Sequence, residues 1–73
     1  MNLGENIKKY RKQKNMSQQE LSELSGIPRA SISRYENGER TPNVEIVNKI
    51  ASALNLNINQ LLVLSYQNFV HIC

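Results

Sequence analysis

Two short amphipathic segments joined at a glycine constrain the fold of this chain more than any other feature. The first segment opens with Ser17 and Glu20, whose three-residue spacing is the capping-box pattern of a helix start. Leu21 and Leu24 form its apolar side. It ends at Gly26, which can adopt the left-handed conformation of a helix C-cap. Ile27 precedes a proline and is pushed out of helical geometry, whereas Pro28 can begin the next helix, where its missing N–H does no harm. The sequence therefore predicts two helices separated by a tight turn.

Apolar residues recur at helical spacing through most of the remaining chain. Leu3, Ile7 and Tyr10 predict a first helix that ends near Lys14 or Asn15. The clearest amphipathic stripe in the chain predicts a fourth helix, after a candidate N-cap at Asn43, and consists of Val47, Ile50, Ala51 and Leu54.

A fifth helix is predicted to begin at Asn57, which forms a second capping-box pattern with Gln60. Its apolar side consists of Ile58, Leu61 and Leu62. Residues 63–73 are ambiguous, because they could extend this helix or form a strand. We expect an all-α fold of five short helices, with residues 1–62 as the domain and residues 63–73 as a C-terminal tail.

The charge of the chain is unevenly distributed. The 73 residues carry a net charge of +3 and a pI of about 9.3, which favours polyanionic partners but does not identify one. Five of the nine cations lie between Lys8 and Lys14, and no Asp, Glu, Lys or Arg follows Lys49. We therefore expect the uncharged C-terminal part to be buried, either in the core or against another subunit.

Length, cysteine usage and hydropathy argue against several classes of protein. A chain this short forms one domain. The lone Cys73 cannot form a disulfide within the chain, which suits a reducing cytoplasm. The basic start lacks the apolar stretch of a signal peptide, and no run of about 18 apolar residues predicts a membrane span. We find no nucleophile–base pair, phosphate-binding glycine loop or metal-ligand spacing, so we expect neither an enzyme nor a metal or cofactor site.

The third predicted helix has two chemically different faces. Ile32 and Tyr35, together with Pro28, lie on an apolar side that must face the core. The opposite side carries Arg29, Ala30, Ser33, Arg34 and Asn37. Arginine can donate two hydrogen bonds to guanine, serine can donate or accept, and alanine can touch a thymine methyl group. Many surface helices carry arginine and serine, but the preceding helix and tight turn favour a helix that reads duplex DNA.

Residues 4–62 resemble the Cro/phage-repressor type of helix-turn-helix domain, which occurs in many bacterial and phage regulators. The resemblance rests on three segments that match in one register: LGENIKKYRKQKNMSQQELSELSG, ISRYENGERTPNVEIVNKIASALNL and INQLL. It implies a five-helix, lambda-repressor-like fold in which Gln18–Ser25 is the positioning helix and Arg29–Asn37 is the recognition helix. It also implies binding to double-stranded DNA as a homodimer, at an operator with two-fold symmetry.

The resemblance also implies roles for individual residues. The base-contacting residues would be Arg29, Ala30, Ser33 and Arg34. The phosphate-contacting residues would be Gln18, which could also reach a base, and Asn37, Gly38, Arg40 and Thr41, partly through backbone N–H groups. Pro28 departs from the pattern, because many relatives carry a serine or threonine there that caps the helix and can bind phosphate. Proline can do neither.

A further implied feature is structural. In this family an arginine late in the first helix pairs with a glutamate late in the recognition helix, and the matching residues are Arg11 and Glu36. Glu36 lies toward the inner side of its predicted helix, where an unpaired carboxylate is costly. We therefore expect a partly buried ion pair rather than a phosphate contact by Arg11.

These patterns leave three hypotheses for the function. The first is a stand-alone transcriptional regulator, most directly a repressor, that dimerises through the fifth helix and the tail; the alternative for those residues is that they complete the core of a monomer. The second is an antitoxin, or another protein-interaction module, whose partner binds the tail. The third is the DNA-binding part of a longer regulator, since Cys73 is an unusual end for a mature chain.

Overall fold

The computed structural model describes residues 3–62 and, within them, five helices and no strand. The helices are α1 (Leu3–Gln13), α2 (Gln18–Ser25), α3 (Arg29–Glu36), α4 (Val44–Ala53) and a final helical segment, α5, over residues 58–62. Helix α1 packs on α3, and α2 packs on both α3 and α4. The all-α, five-helix architecture expected from the sequence is confirmed. The predicted tail, residues 63–73, lies outside the described residues.

The helix ends are set by local hydrogen bonds at the residues that the sequence indicates. Ser17 Oγ accepts from the Glu20 backbone N–H at 3.0 Å, and Glu20 Oε1 accepts from the Ser17 N–H at 2.9 Å. Asn57 and Gln60 form the same reciprocal pair ahead of α5, with both distances 3.0 Å. Gly26 closes α2 with φ of 75°, in the left-handed region. The two capping boxes therefore set the starts of α2 and α5, and the glycine cap sets the end of α2.

A single apolar core receives side chains from all five helices. Its buried members are Ile7, Leu21, Ile27, Ile32, Tyr35, Val47, Ile50, Ala51, Leu54 and Leu61. Burying an aliphatic side chain of this size contributes about 1.5–3 kcal/mol. The four residues of the predicted α4 stripe all belong to this core, so the placement of that helix is confirmed.

Three residues are exposed although the sequence pattern placed each on the apolar side of a helix: Leu24, Pro28 and Leu62. Leu24 is 63% exposed, because the side of α2 that packs on α3 and α4 is centred on Leu21. Pro28 is also exposed, because it is the N-cap of α3, with ψ of 139°, and precedes the first helical turn. A helical wheel that includes Pro28 therefore assigns it to the wrong side.

A buried polar contact joins the two ends of the described chain. The amide nitrogen of Asn6 in α1 donates to the backbone carbonyl of Leu61 in α5, and Asn6 is 3% exposed. Among the described residues, nothing donates a hydrogen bond to the amide oxygen of Asn6. The contact attaches the short α5 to α1. In residues 3–62 no helix has the length and apolar character needed to cross a lipid bilayer.

Candidate nucleic-acid interface

Helix α3 carries an exposed basic face and a buried apolar face. Arg29, Ala30 and Arg34 are exposed, and Ser33 is half-buried. On the other side Ile32 is completely buried and Tyr35 is 8% exposed. The orientation predicted from the sequence for the two arginines and the two core residues is confirmed. Arg29, Ala30 and Arg34 are therefore free to meet another molecule.

Serine side chains hold the turn between α2 and α3. Ser22 Oγ donates to the carbonyl of Ile27 at 2.6 Å, and Ser25 Oγ accepts from the Ile27 N–H at 3.2 Å. Ile27 itself is buried in the core. The turn is therefore fixed on both its polar and its apolar side, which sets the angle between α2 and α3. Sequence analysis missed these serines, because serine in a short helix is usually solvent-exposed.

Arg11 and Glu36 lie together beneath the exposed face of α3. Arg11 Nε lies 2.7 Å from Glu36 Oε2, and Arg11 Nη2 lies 3.0 Å from Glu36 Oε1. Arg11 Nη1 also donates to the Met16 carbonyl at 2.7 Å, just before α2 begins. The arginine side chain is 10% exposed and the glutamate side chain 1%. Arg11 is therefore turned away from solvent, in contrast to its lysine neighbours on α1.

Gln18 joins the same buried cluster. Its amide nitrogen donates to Glu36 Oε1 at 3.1 Å, and the residue is half-buried. Sequence analysis assigned Gln18 to DNA alone and did not find this bond, because it depends on how α2 and α3 cross. Gln18 is the first residue of α2 and is half-buried, so its side chain contacts the interior through Glu36 and also reaches the surface.

The segment after α3 exposes the other residues assigned to phosphates, namely Asn37, Gly38, Arg40 and Thr41. The backbone N–H of Gly38 donates to the Tyr35 carbonyl at 3.2 Å and that of Glu39 donates to the Arg34 carbonyl at 2.9 Å. These two N–H groups are engaged in ending α3. The side chains of Arg40 and Thr41 remain exposed.

Within residues 3–62, no three His, Cys, Asp or Glu side chains are grouped as metal ligands would be. His71 and Cys73 lie outside those residues; two ligands are in any case too few for a structural zinc site. The arrangement on α3 and the following segment is one of exposed cationic and polar side chains on a fixed helix. Such a surface suits recognition of a polyanion.

Known proteins resemble this chain in sequence and in fold. The Control protein C.SmaI of Serratia marcescens is 38% identical over 60 residues, covering 82% of this chain and 71% of the relative. Antitoxin PezA of Streptococcus pneumoniae is 39% identical over 54 residues, covering 74% and 34%. Among solved structures, the P22 c2 repressor in complex with a synthetic operator superposes with a TM-score of 0.76 at 30% identity, covering 84% of this chain and 92% of that one.

The chain spans about half the length of several curated relatives that it matches. The relatives include regulators, a repressor and an antitoxin. Residues 7–61 match the model of the helix-turn-helix family. With α2 and α3 joined by the fixed turn at Gly26, the chain belongs to the helix-turn-helix family of the Cro/phage-repressor type.

Proposed function

We propose that this protein is a sequence-specific DNA-binding regulator of transcription, most directly a repressor, that binds a palindromic operator as a homodimer. The observation that carries the proposal is the division of α3 into a buried apolar side and an exposed side with Arg29, Ala30 and Arg34. A helix held in this way can enter the major groove, where arginine pairs with guanine and alanine contacts thymine methyl groups. Repression follows from occupation of a promoter.

Affinity would come mainly from phosphate contacts, which do not depend on sequence. The exposed side chains of Asn37, Arg40 and Thr41 follow directly after α3, so a protein whose α3 enters the groove brings them toward the flanking backbone. The net charge of +3 adds attraction to DNA that salt screens. Arg11 would support DNA binding only indirectly, by stabilising the fold, since its guanidinium is enclosed by Glu36 and Met16.

The dimer would form through α5 and residues 63–73. Leu62, the last described residue of α5, is 39% exposed, and no charged residue follows Lys49 in the sequence. An exposed leucine that continues into an uncharged apolar segment favours contact with a second copy. The two recognition helices would then lie about 34 Å apart, one turn of DNA, which requires two half-sites at that spacing.

The direct experiment is to select bound sites from a pool of random duplexes and to measure the mass of the free protein by sedimentation at micromolar concentration. The proposal expects a recovered motif with two-fold symmetry and a dimer in solution. Recovery of no sequence preference would contradict a regulator that reads bases. A free monomer that binds single half-sites would contradict the homodimer while keeping the DNA-binding function.

A second candidate function, an antitoxin, is supported by the 39% identity to Antitoxin PezA. It predicts that the free chain remains monomeric and dimerises or folds its C-terminal segment only with a foreign protein. Sedimentation of the free protein therefore separates the two candidates.

A further inference from the structure

The carboxylate of Glu36 is held from two sides by different helices. Arg11 from α1 occupies Oε2 at 2.7 Å and reaches Oε1 at 3.0 Å, while Gln18 from α2 donates to Oε1 at 3.1 Å. The Glu36 side chain is only 1% exposed. Glu36 therefore does more than neutralise Arg11: it also binds a residue at the protein surface.

The bond to Glu36 fixes which way the Gln18 amide faces. A carboxylate engaged by an arginine can only accept hydrogen bonds, so the Gln18 atom beside it must be the amide nitrogen. The usual ambiguity between the oxygen and nitrogen of a glutamine side chain is thereby removed. One N–H is used by Glu36, which leaves Gln18 with one N–H and a carbonyl oxygen for another molecule.

Two exposed amides among residues 3–62 lack such a constraint. Asn37 Nδ2 lies 3.4 Å from Glu39 Oε2, and Gln19 Nε2 lies 3.2 Å from Glu23 Oε2, and both pairs are exposed to solvent. Exposed contacts of this length are weak, because water competes for both partners. Gln19 is the neighbour of Gln18, so it provides a matched comparison.

We propose that Glu36 is a positioning residue for operator recognition, which acts by holding the Gln18 amide so that its second N–H faces the duplex. This role rests on the proposed function. The remaining N–H can donate to a hydrogen-bond acceptor of DNA, either a phosphate oxygen or a purine N7. A pre-oriented donor binds more tightly, because less side-chain freedom is lost on binding.

A double-mutant cycle tests the role. Gln18→Met keeps the length of the side chain but removes its donors, and should weaken operator binding by about 2- to 10-fold, the range for one hydrogen bond. In Glu36→Gln the one remaining oxygen is uncharged and must also serve the Arg11 guanidinium, which weakens its hold on Gln18; the loss of affinity should approach that of Gln18→Met. When Gln18→Met is added to the Glu36→Gln protein, the affinity should fall by less than about 2-fold further. Gln19→Met is the control and should change affinity little.

If all variants fold and the two single losses of affinity add up in the double variant, the role of Glu36 is overturned and the DNA-binding function remains. Failure of the wild-type protein to bind any duplex would overturn both. A methylphosphonate at single phosphates and 7-deaza purines at single bases distinguish the acceptors. On the one duplex that lacks the acceptor of Gln18, Gln18→Met should cause no further loss of affinity. If Gln18→Met lowers the affinity fully on every modified duplex, the contact is overturned.

A measurement on the free wild-type protein keeps the proposal testable if Glu36→Gln does not fold. Side-chain amide NMR relaxation should show Gln18 as rigid as the backbone and Gln19 as mobile, since only the former is held by a buried carboxylate. Equal mobility of the two amides would overturn the proposal without reference to DNA.

Discussion

Arg11 and Glu36 form a two-bond ion pair inside the protein, with Nε–Oε2 and Nη2–Oε1 distances of 2.7 and 3.0 Å. The remaining Arg11 nitrogen donates to the Met16 carbonyl, so one side chain joins α1, α3 and the connection to α2. Glu36 lies at the end of α3 on its buried side, one turn after the buried Ile32. The pair therefore fixes the orientation of α3 from beneath.

The first prediction is that Glu36→Ala strongly destabilises the protein. It leaves the Arg11 guanidinium buried without its partner, which costs about 3–5 kcal/mol. For a domain of this size the Tm should fall by more than about 12 °C, or the chain should fail to fold. Thermal unfolding followed by circular dichroism measures the change.

An exposed ion pair provides the control. Glu45 and Lys49 lie 3.7 Å apart one turn along α4, with side chains 78% and 49% exposed. Solvent screens such a pair, so Glu45→Ala should change the free energy of unfolding by less than about 1 kcal/mol. If Glu36→Ala and Glu45→Ala lowered the free energy of unfolding by similar amounts, burial would not be what makes the Arg11–Glu36 pair strong.

Local features of the fold could be predicted from the sequence, because each depends on a few neighbouring residues. Ser17 with Glu20 and Asn57 with Gln60 start helices through bonds that span three residues. Gly26 ends α2, and this too depends only on the glycine and the residues next to it. The exposed arginines of α3 followed from apolar periodicity alone, since Ile32 determines which side is buried.

Contacts between distant helices could not be predicted from periodicity. Leu24 fits the apolar side of α2 by spacing, yet the angle at which α2 meets α3 and α4 leaves it exposed. The Gln18–Glu36 bond depends on the same crossing. Arg11 and Glu36 were paired through the family resemblance, because 25 residues separate them and no local pattern connects the two.

The second prediction is that Gly26→Ala destabilises the protein through the backbone alone. A Cβ at this position would meet no atom within 4 Å, but φ is +75°. The left-handed conformation costs a residue with a Cβ about 1–2 kcal/mol. Gly26→Asn should cost less, since asparagine tolerates this region, as Asn15 does here with φ of 55°. Equal losses in urea unfolding for the two variants would indicate a steric cause instead.

The third prediction concerns base recognition by Arg34, which is exposed on α3. Arg34→Ala should weaken binding to the selected operator by about 1–3 kcal/mol and relax preference at one base pair. Arg40→Ala, in the segment after α3, should instead weaken specific and random duplexes alike and reduce the salt dependence. Fluorescence anisotropy titrations at several salt concentrations measure both effects. If Arg34→Ala gives the pattern expected for Arg40, Arg34 binds phosphate rather than a base.

The fourth prediction is that Glu39 weakens DNA binding. Its carboxylate is exposed between Gly38 and Arg40, in the segment expected to meet phosphates, and Asn37 Nδ2 approaches it at 3.4 Å. A negative charge close to phosphates is repelled, by up to about 1 kcal/mol at 4 Å in water. Glu39→Gln should therefore tighten binding up to about 5-fold on specific and random duplexes alike, and the gain should shrink as salt rises. The Glu39 backbone N–H still ends α3, so the Tm should stay unchanged. An unchanged affinity at low salt would place this segment away from the DNA backbone.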